Sequence, residues 1–261
     1  MKKFGILGCG KMGGAILQGV SRLFKKEEVE ICEKNPQTVE RLTAQGYTVT
    51  EDPVRLVEDC ETVLVSVKPQ DLSQAVASIK DKQRKVLFLS IAAGQSLERL
   101  RALLGDVAIV RAMPNTAATL GLAATCITPN ELCTQEQIET ATAIFQTVGT
   151  VERIEEKYMD EIIALSGSFI AFAYYYAQGF ALQAVKDGIN EETATRLLAQ
   201  TFIGAGNMML SGKPLELLIQ DVCSKGGTTL AGLDQLRSHD LHALCALCST
   251  ACTQRSKELG K

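Results

Sequence analysis

The sequence predicts an α/β chain in two parts: a doubly wound parallel sheet over residues 1–154, then an all-helical part over residues 155–261. Three observations carry this expectation. The chain opens on an apolar run, Phe4-Gly5-Ile6-Leu7, followed by a glycine turn and a helical pattern. Strand and helix patterns then alternate as far as Ile154, with added strands expected at one sheet edge. Past Glu155-Glu156-Lys157 no strand pattern recurs.

The glycine turn has chemistry attached. Gly8, Gly10 and Gly13 stand at G-x-G-x-x-G spacing directly after the first strand. The first glycine makes the turn, the second lets backbone approach a pyrophosphate, and the third lets helix and strand pack closely. The N–H groups of the helix start, at Lys11 and Met12, then face the phosphates with the helix dipole behind them. Gly8, Cys9, Gly10, Lys11, Met12 and Gly13 are therefore the expected pyrophosphate site of a Rossmann-type, dinucleotide-binding domain. The competing reading is a glycine turn with no ligand.

Further elements follow in order. Met12–Leu23 reads as an amphipathic helix and Val29–Cys32 as the second strand. Glu33 falls where the ribose-reading acid of the fingerprint belongs, and an acid there favours NADH. Lys34 follows at once and is suited to the 2′-phosphate of NADPH, so these two residues leave the coenzyme open. Pro36–Gln45 is a helix with proline at its start and Gly46 past its end. Tyr47–Val49 is a small strand, Pro53–Glu58 a short helix and Thr62–Val67 a buried strand. Ligands of open α/β sheets gather at the carboxyl ends of strands, and Lys68 stands at such an end. Lys85–Ile91 is the next strand and runs into the small residues Ala92-Ala93-Gly94. Ser96 caps the following helix. Val107–Met113 ends at Asn115, again a short polar residue at a strand end and a candidate coenzyme contact. Leu122–Thr128, Thr134–Val148 and Val151–Ile154 read as strand, helix and strand.

In the second part, Tyr158–Lys186 reads as one long helix with a break at Ser166-Gly167-Ser168. Glu191–Met209, Pro214–Val222, a helix from Leu230 and Leu241–Leu259 complete it. Phe169, Phe172, Tyr174, Tyr175, Tyr176 and Phe180 go all round one helix, so burying them calls for a second subunit. Ser224-Lys225-Gly226-Gly227-Thr228-Thr229 repeats the physics of the opening turn: freed backbone, a helix start and hydroxyls. With the pyrophosphate already placed, this second anion nest suits a small carboxylate; its competitor is a capping loop without ligand.

Composition excludes several classes. The chain is 46% hydrophobic and 22% charged with net charge -3, as for a soluble globular protein without a broad basic surface for nucleic acid. Met1-Lys2-Lys3 is followed by glycines within a few residues, so no signal peptide is expected. The longest apolar segment, Ile162–Val185, carries Ser166, Ser168, Gln178 and Gln183 and reads as a buried helix rather than a membrane span. Nine scattered cysteines fit a reducing, cytoplasmic setting. Cys245, Cys248 and Cys252 share a helix face with Ala243, Ala246 and Ala251, a seam of small residues, and no metal is expected. The two histidines, His239 and His242, lie in a polar turn, so catalysis is not expected to rest on histidine.

Six blocks together resemble the pyrroline-5-carboxylate reductase family. They are Ile6–Met12, Val67-Lys68-Pro69-Gln70, Ala92-Ala93-Gly94, Met113-Pro114-Asn115-Thr116, Ser166-Gly167-Ser168 and Ser224–Thr229, in the family's order over residues 4 to 233. The resemblance implies a Rossmann domain followed by a helical dimerisation domain whose helices interlock. It implies a homodimer and, as a ring of dimers, a decamer. It implies reduction of the cyclic imine 1-pyrroline-5-carboxylate to L-proline, the last step of proline biosynthesis, by NADPH or NADH. By that likeness Gly8 to Gly13 bind pyrophosphate, while Val67, Lys68, Pro69, Ala92 and Ala93 border the ribose and nicotinamide. Ser168 lines the substrate pocket, and Gly226, Gly227, Thr228 and Thr229 hold the substrate carboxylate.

The chain departs from the family in two places. Phe169-Ile170-Ala171-Phe172 stands where the family has Gly or Ser, then Pro, Ala and Tyr, and Ile163 replaces a threonine, making the pocket bulkier and less polar. Glu33-Lys34 replaces the family's frequent Asn-Arg. A protonated imine is already an electrophile, so a placed hydride and a proton source suffice. Thr229 is the expected catalytic hydroxyl at the ring nitrogen, ahead of Ser168, with water or substrate giving the proton. Two other readings compete. A 3-hydroxyacid dehydrogenase needs a lysine base early in the long helix, and residues 161–185 contain none. A non-catalytic nucleotide-binding regulator would keep the fold without the chemistry.

Overall fold

The structure is a computed structural model that describes residues 2–80 and 86–260. Among these residues the chain divides into two compact units, residues 1–168 with 250–261, and residues 169–249.

The first unit is built on an eight-stranded sheet of order β3-β2-β1-β4-β5-β6-β7-β8. Its strands are β1 (Lys2–Leu7), β2 (Val29–Cys32), β3 (Thr48–Thr50), β4 (Cys60–Val65), β5 (Leu87–Ser90), β6 (Ala108–Met113), β7 (Ala123–Pro129) and β8 (Gly149–Arg153). Every neighbouring pair is parallel except β6 with β7. The order reverses at β1, with β2 on one side and β4 on the other, which makes the switch point where open α/β sheets bind ligands. The expected parallel sheet with strands added at one edge is present. Lys85, at the start of the strand expected over Lys85–Ile91, lies outside the described residues.

Apolar runs buried on both faces hold the sheet in register. In β4, Leu64 packs on one face with Ile6, Ile16, Leu89 and Phe145, while Val63 and Val65 pack on the other with Leu56, Phe88 and Leu100. Helices α1 (Lys11–Val20), α2 (Pro36–Ala44) and α6 (Gln135–Gln146) supply the first face; α3 (Pro53–Asp59), the short α4 (Leu72–Val76) and α5 (Leu97–Leu104) supply the second. Each fully buried Leu, Ile or Phe contributes roughly 1.5–3 kcal/mol of burial free energy. Side chains cap α2, α3, α5 and α6: Asn35, Asp52, Ser96 and Thr134 each accept from a backbone N–H of the first turn.

The second unit contains α7 (Phe169–Lys186), α8 (Glu191–Met209), α9 (Leu215–Val222), α10 (Thr228–Ser238) and the first turns of α11 (Leu241–Leu259). Asn190 caps α8, accepting from the N–H groups of Glu192 and Thr193. In α7 no residue is buried, and Tyr175 is 80% exposed in the single chain. Among the described residues no helix is long and apolar enough to cross a membrane.

One expectation needs correction. The long helix expected from Tyr158 begins only at Phe169, and residues 156–158 and 161–164 form separate single 3₁₀ turns. Residues 155–168 and the end of α11 pack with the first compact unit. A buried cation is the reason. Arg111 of β6 donates to Glu156 Oε1 at 2.8 Å and to Asp160 Oδ1 at 2.9 Å. Ser256 Oγ of α11 donates to the same Asp160 oxygen at 2.8 Å, and Gln95 Nε2 donates to Leu259 O at 3.1 Å. These bonds tie residues 156–160 and the end of α11 to the sheet. Removing one partner would leave a buried charge uncompensated, so segments that look helical in sequence stay with the α/β unit.

Glu30 of β2 is 0% exposed, and Arg55 Nε pairs with its Oε1 at 3.2 Å from a side chain that is itself largely exposed. Burial pushes its carboxyl above the usual carboxylate range. A raised carboxyl pKa means that the folded state holds this proton more tightly than the unfolded state, so stability falls as pH rises above the ordinary value of about 4.5. Glu30→Met is expected to raise unfolding stability by about 1 kcal/mol at pH 7. The gain should shrink toward pH 4, as read by urea melts at both pH values.

Candidate functional site

A cleft of ≈ 370 Å³ opens at the carboxyl ends of β1, β2 and β4, with Leu7, Gly8, Gly10, Cys32, Glu33, Lys34, Ser66, Val67 and Lys68 among its lining residues. Its floor is the glycine turn. Gly8 has φ +85°, a left-handed conformation that a side chain would strain, and its N–H donates to Cys32 O at 2.9 Å. Gly13 is used differently. A Cβ there would lie 2.7 Å from Gly8 O and 2.8 Å from Ser66 Oγ, so α1 reaches the sheet only because Gly13 has none. At Gly10 a Cβ would meet nothing within 4 Å. Gly10 is also among the residues that line the cleft.

Helix α1 starts at Lys11 behind Gly10, with no side-chain cap and no acidic residue in its first turn. Its first N–H groups are therefore available to an anion, in contrast to the capped starts of α2, α3, α5 and α6. A pyrophosphate fits this arrangement: uncapped N–H groups, a bare glycine and no carboxylate in the turn. Lys11 and Met12 supply the start of that helix, as the sequence suggests.

Cys9 behaves otherwise. Its thiol is buried in the core, and burial pushes its pKa up to about 11, so it stays protonated near neutrality. Its N–H donates to Glu33 Oε2 at 2.8 Å and is not free for phosphate. The other Glu33 oxygen, Oε1, accepts from Lys34 N at 2.8 Å and Asn35 N at 2.9 Å. Glu33 thus bonds both the glycine turn and the turn after β2.

The remaining expected coenzyme residues divide. Lys34, Val67 and Lys68 line the cleft. Pro69 opens a 3₁₀ turn over Pro69–Asp71 just beyond it. Ala92 and Ala93 follow β5, and neither lines this cleft. The neighbouring Gly94 is small for a local reason: with φ +74°, a Cβ would stand 2.7 Å from Ser256 O of α11. Asn115 is buried and already engaged: its Oδ1 accepts from Ala117 N at 3.1 Å and its Nδ2 donates to Ser166 O at 3.1 Å. It positions the Ser166-Gly167-Ser168 block, in which Ser168 N donates to Ile163 O at 2.7 Å. Ser66, Asp71 and Gln74 also line the cleft and were not singled out in the sequence. Ser66 could have been, since it follows β4 at its carboxyl end.

In the second unit the loop before α10 has the expected form. Gly226 has φ +73°, and a Cβ at Gly227 would meet Ser224 Oγ at 2.3 Å. Gly227 is the N-cap of α10 without a side-chain bond, and the first turn carries no acidic residue. Thr228 and Thr229 are exposed at this open helix start. Within its own unit the loop is a ready anion nest.

The two glycine contrasts predict different losses. Gly10→Ala is expected to leave the melting temperature unchanged and to weaken NAD(P)H binding by about tenfold or more, read by fluorescence titration. Gly13→Ala is expected to cost about 1–3 kcal/mol of stability, read by urea unfolding, because backbone oxygen must move.

The chain matches a family model for pyrroline-5-carboxylate reductase dimerisation over residues 156–259, and one described as NADP oxidoreductase coenzyme F420-dependent over residues 3–94. It is 35% identical to a pyrroline-5-carboxylate reductase of Methanosarcina acetivorans over 100% of this chain and 98% of that protein. A solved pyrroline-5-carboxylate reductase from Coxiella burnetii superposes with TM-score 0.92 at 29% identity, covering 100% of this chain and 99% of that one. One from Plasmodium falciparum, solved with NADP bound, superposes with TM-score 0.88 at 26% identity, covering 100% and 98%. With the dinucleotide turn, the open nest before α10 and this full-length likeness, the chain belongs to the pyrroline-5-carboxylate reductase family.

Proposed function

We propose that the chain reduces 1-pyrroline-5-carboxylate to L-proline with NAD(P)H, the closing step of proline biosynthesis. The observation that carries the reading is the likeness to enzymes of that name along their whole length, with both glycine nests intact. The coenzyme supplies the hydride. Gly10, Lys11 and Met12 hold its pyrophosphate through open backbone N–H groups; Val67 and Lys68 border the ribose, with Pro69, Ala92 and Ala93 beyond. The nest of Gly226, Gly227, Thr228 and Thr229 holds the substrate carboxylate, and Ser168 lines the substrate pocket.

Reduction needs a hydride at the imine carbon and a proton at nitrogen. No activated nucleophile is required. Thr229 is the hydroxyl we assign to the ring nitrogen, stabilising the charge there while water or the substrate gives the proton. The exposed aromatic side chains of α7 are suited to a second copy, and we assign the functional unit to a homodimer assembled further into a ring. The compartment we assign is the cytoplasm, where the free thiols of Cys9, Cys32 and Cys60 stay reduced.

Coenzyme oxidation by the purified chain with a panel of cyclic imines tests this reading, together with reverse oxidation of proline or thioproline at high pH. Turnover is expected with the five-membered imino acid. Coenzyme binding without turnover would instead mark a nucleotide-binding regulator, and oxidation of 3-hydroxyacids a dehydrogenase of that class. Thr229→Val is expected to lower kcat/KM by about tenfold or more, the worth of one hydrogen bond to a charged group, with coenzyme affinity unchanged. Unaltered imine turnover in that variant would remove Thr229 from the mechanism.

A further inference from the structure

We propose that Glu33 makes this chain prefer NADH over NADPH, because its carboxylate already fills the backbone nest that a 2′-phosphate would need. The inference rests on the coenzyme reading above and concerns the sugar end of the same cleft.

Successive backbone N–H groups in a turn form an anion-binding concavity. Such a concavity stands at the end of β2, where the N–H groups of Lys34 and Asn35 converge on one oxygen, Glu33 Oε1, at 2.8 and 2.9 Å. The anion in the nest is thus the chain's own side chain. The other oxygen, Oε2, takes the Cys9 N–H at 2.8 Å, which ties the carboxylate to the glycine turn. A carboxylate has about four acceptor positions, and these three bonds leave one on Oε2. That remaining position can accept a ribose 2′-hydroxyl, which brings a proton. A 2′-phosphate brings only negative charge and acceptors to a turn whose two backbone donors, Lys34 N and Asn35 N, are already engaged.

Two cations stand close enough to argue the other way. Lys34 lines the cleft, and Arg41 of α2 lies near enough to the Cys9 thiol to act on it electrostatically. Both side chains are exposed, whereas Glu33 is half-buried and fixed by three hydrogen bonds. An exposed lysine or arginine gains little from an ion pair, and a fixed like charge facing the phosphate outweighs it. The acid decides the balance.

Direct titration of NADH and NADPH by coenzyme fluorescence, on the full chain without imine, tests this. NADH is expected to bind about tenfold or more tightly than NADPH. NADPH binding as tightly as NADH, or more tightly, would overturn the proposal. In Glu33→Gln, which keeps an acceptor but removes the charge, the ratio of the two dissociation constants is expected to move about tenfold toward NADPH. Equal loss of both affinities would show that Glu33 only braces the turn and would likewise overturn it. Should the variant not fold, the wild-type ratio alone decides. Absence of imine turnover with this binding preference intact would count against the proposed reaction and leave the coenzyme preference standing.

Discussion

The approach of α1 to the sheet at Gly13 is the constraint on which the first unit depends. The helix start lies so near β1 and β4 that a single methyl group would collide with Gly8 O and Ser66 Oγ. That closeness brings the first N–H groups of α1 to the head of the switch point between β2 and β4. One missing Cβ sets the packing distance, while the neighbouring Gly10 has open space around it at the lining of the cleft.

Polar side chains then fasten the pieces that burial alone would leave loose. Glu33 joins the glycine turn to the turn after β2 through three backbone donors. Asn115 joins the end of β6 to the Ser166-Gly167-Ser168 block. Arg111 gathers Glu156 and Asp160, and Asp160 in turn holds Ser256. These side chains are buried or half-buried and, apart from Glu156 Oε2, well supplied with partners, the condition under which polar groups specify geometry rather than weaken it. Glu30 is less well served: neither of its buried oxygens has a hydrogen bond among the described residues, and Arg55 faces it as an ion pair.

Local pattern made much of the fold legible. The glycine spacing, the β-branched run of β4 and the cap at Ser96 are signals contained within a few residues, and the structure carries each of them. Where reading failed, the missing information was non-local. Residues 156–164 have helical composition but are held as short turns by Arg111, far away in sequence. Gly94 stands against the end of α11, a contact that no local pattern announces. Cys9 N and Asn115 Nδ2 are engaged by Glu33 and Ser166, partners distant in sequence.

Residue types and short spacings were enough for the class of fold, the glycine turn and the second nest before α10, which depend on backbone freedom and hydrophobic period, both written locally along the chain. The reductase family was legible only as a resemblance of six short blocks. The sense of Glu33 was not available there. An acid followed by a lysine at the end of β2 points toward either coenzyme. Only folding shows that the carboxylate turns back onto its own backbone, because the Cys9 N–H that fixes it is supplied by a different strand's turn. Hydrogen-bond partners distant in sequence are assigned by packing, and packing fixed one of an ambiguous pair of charges as a held carboxylate at the lining of the cleft.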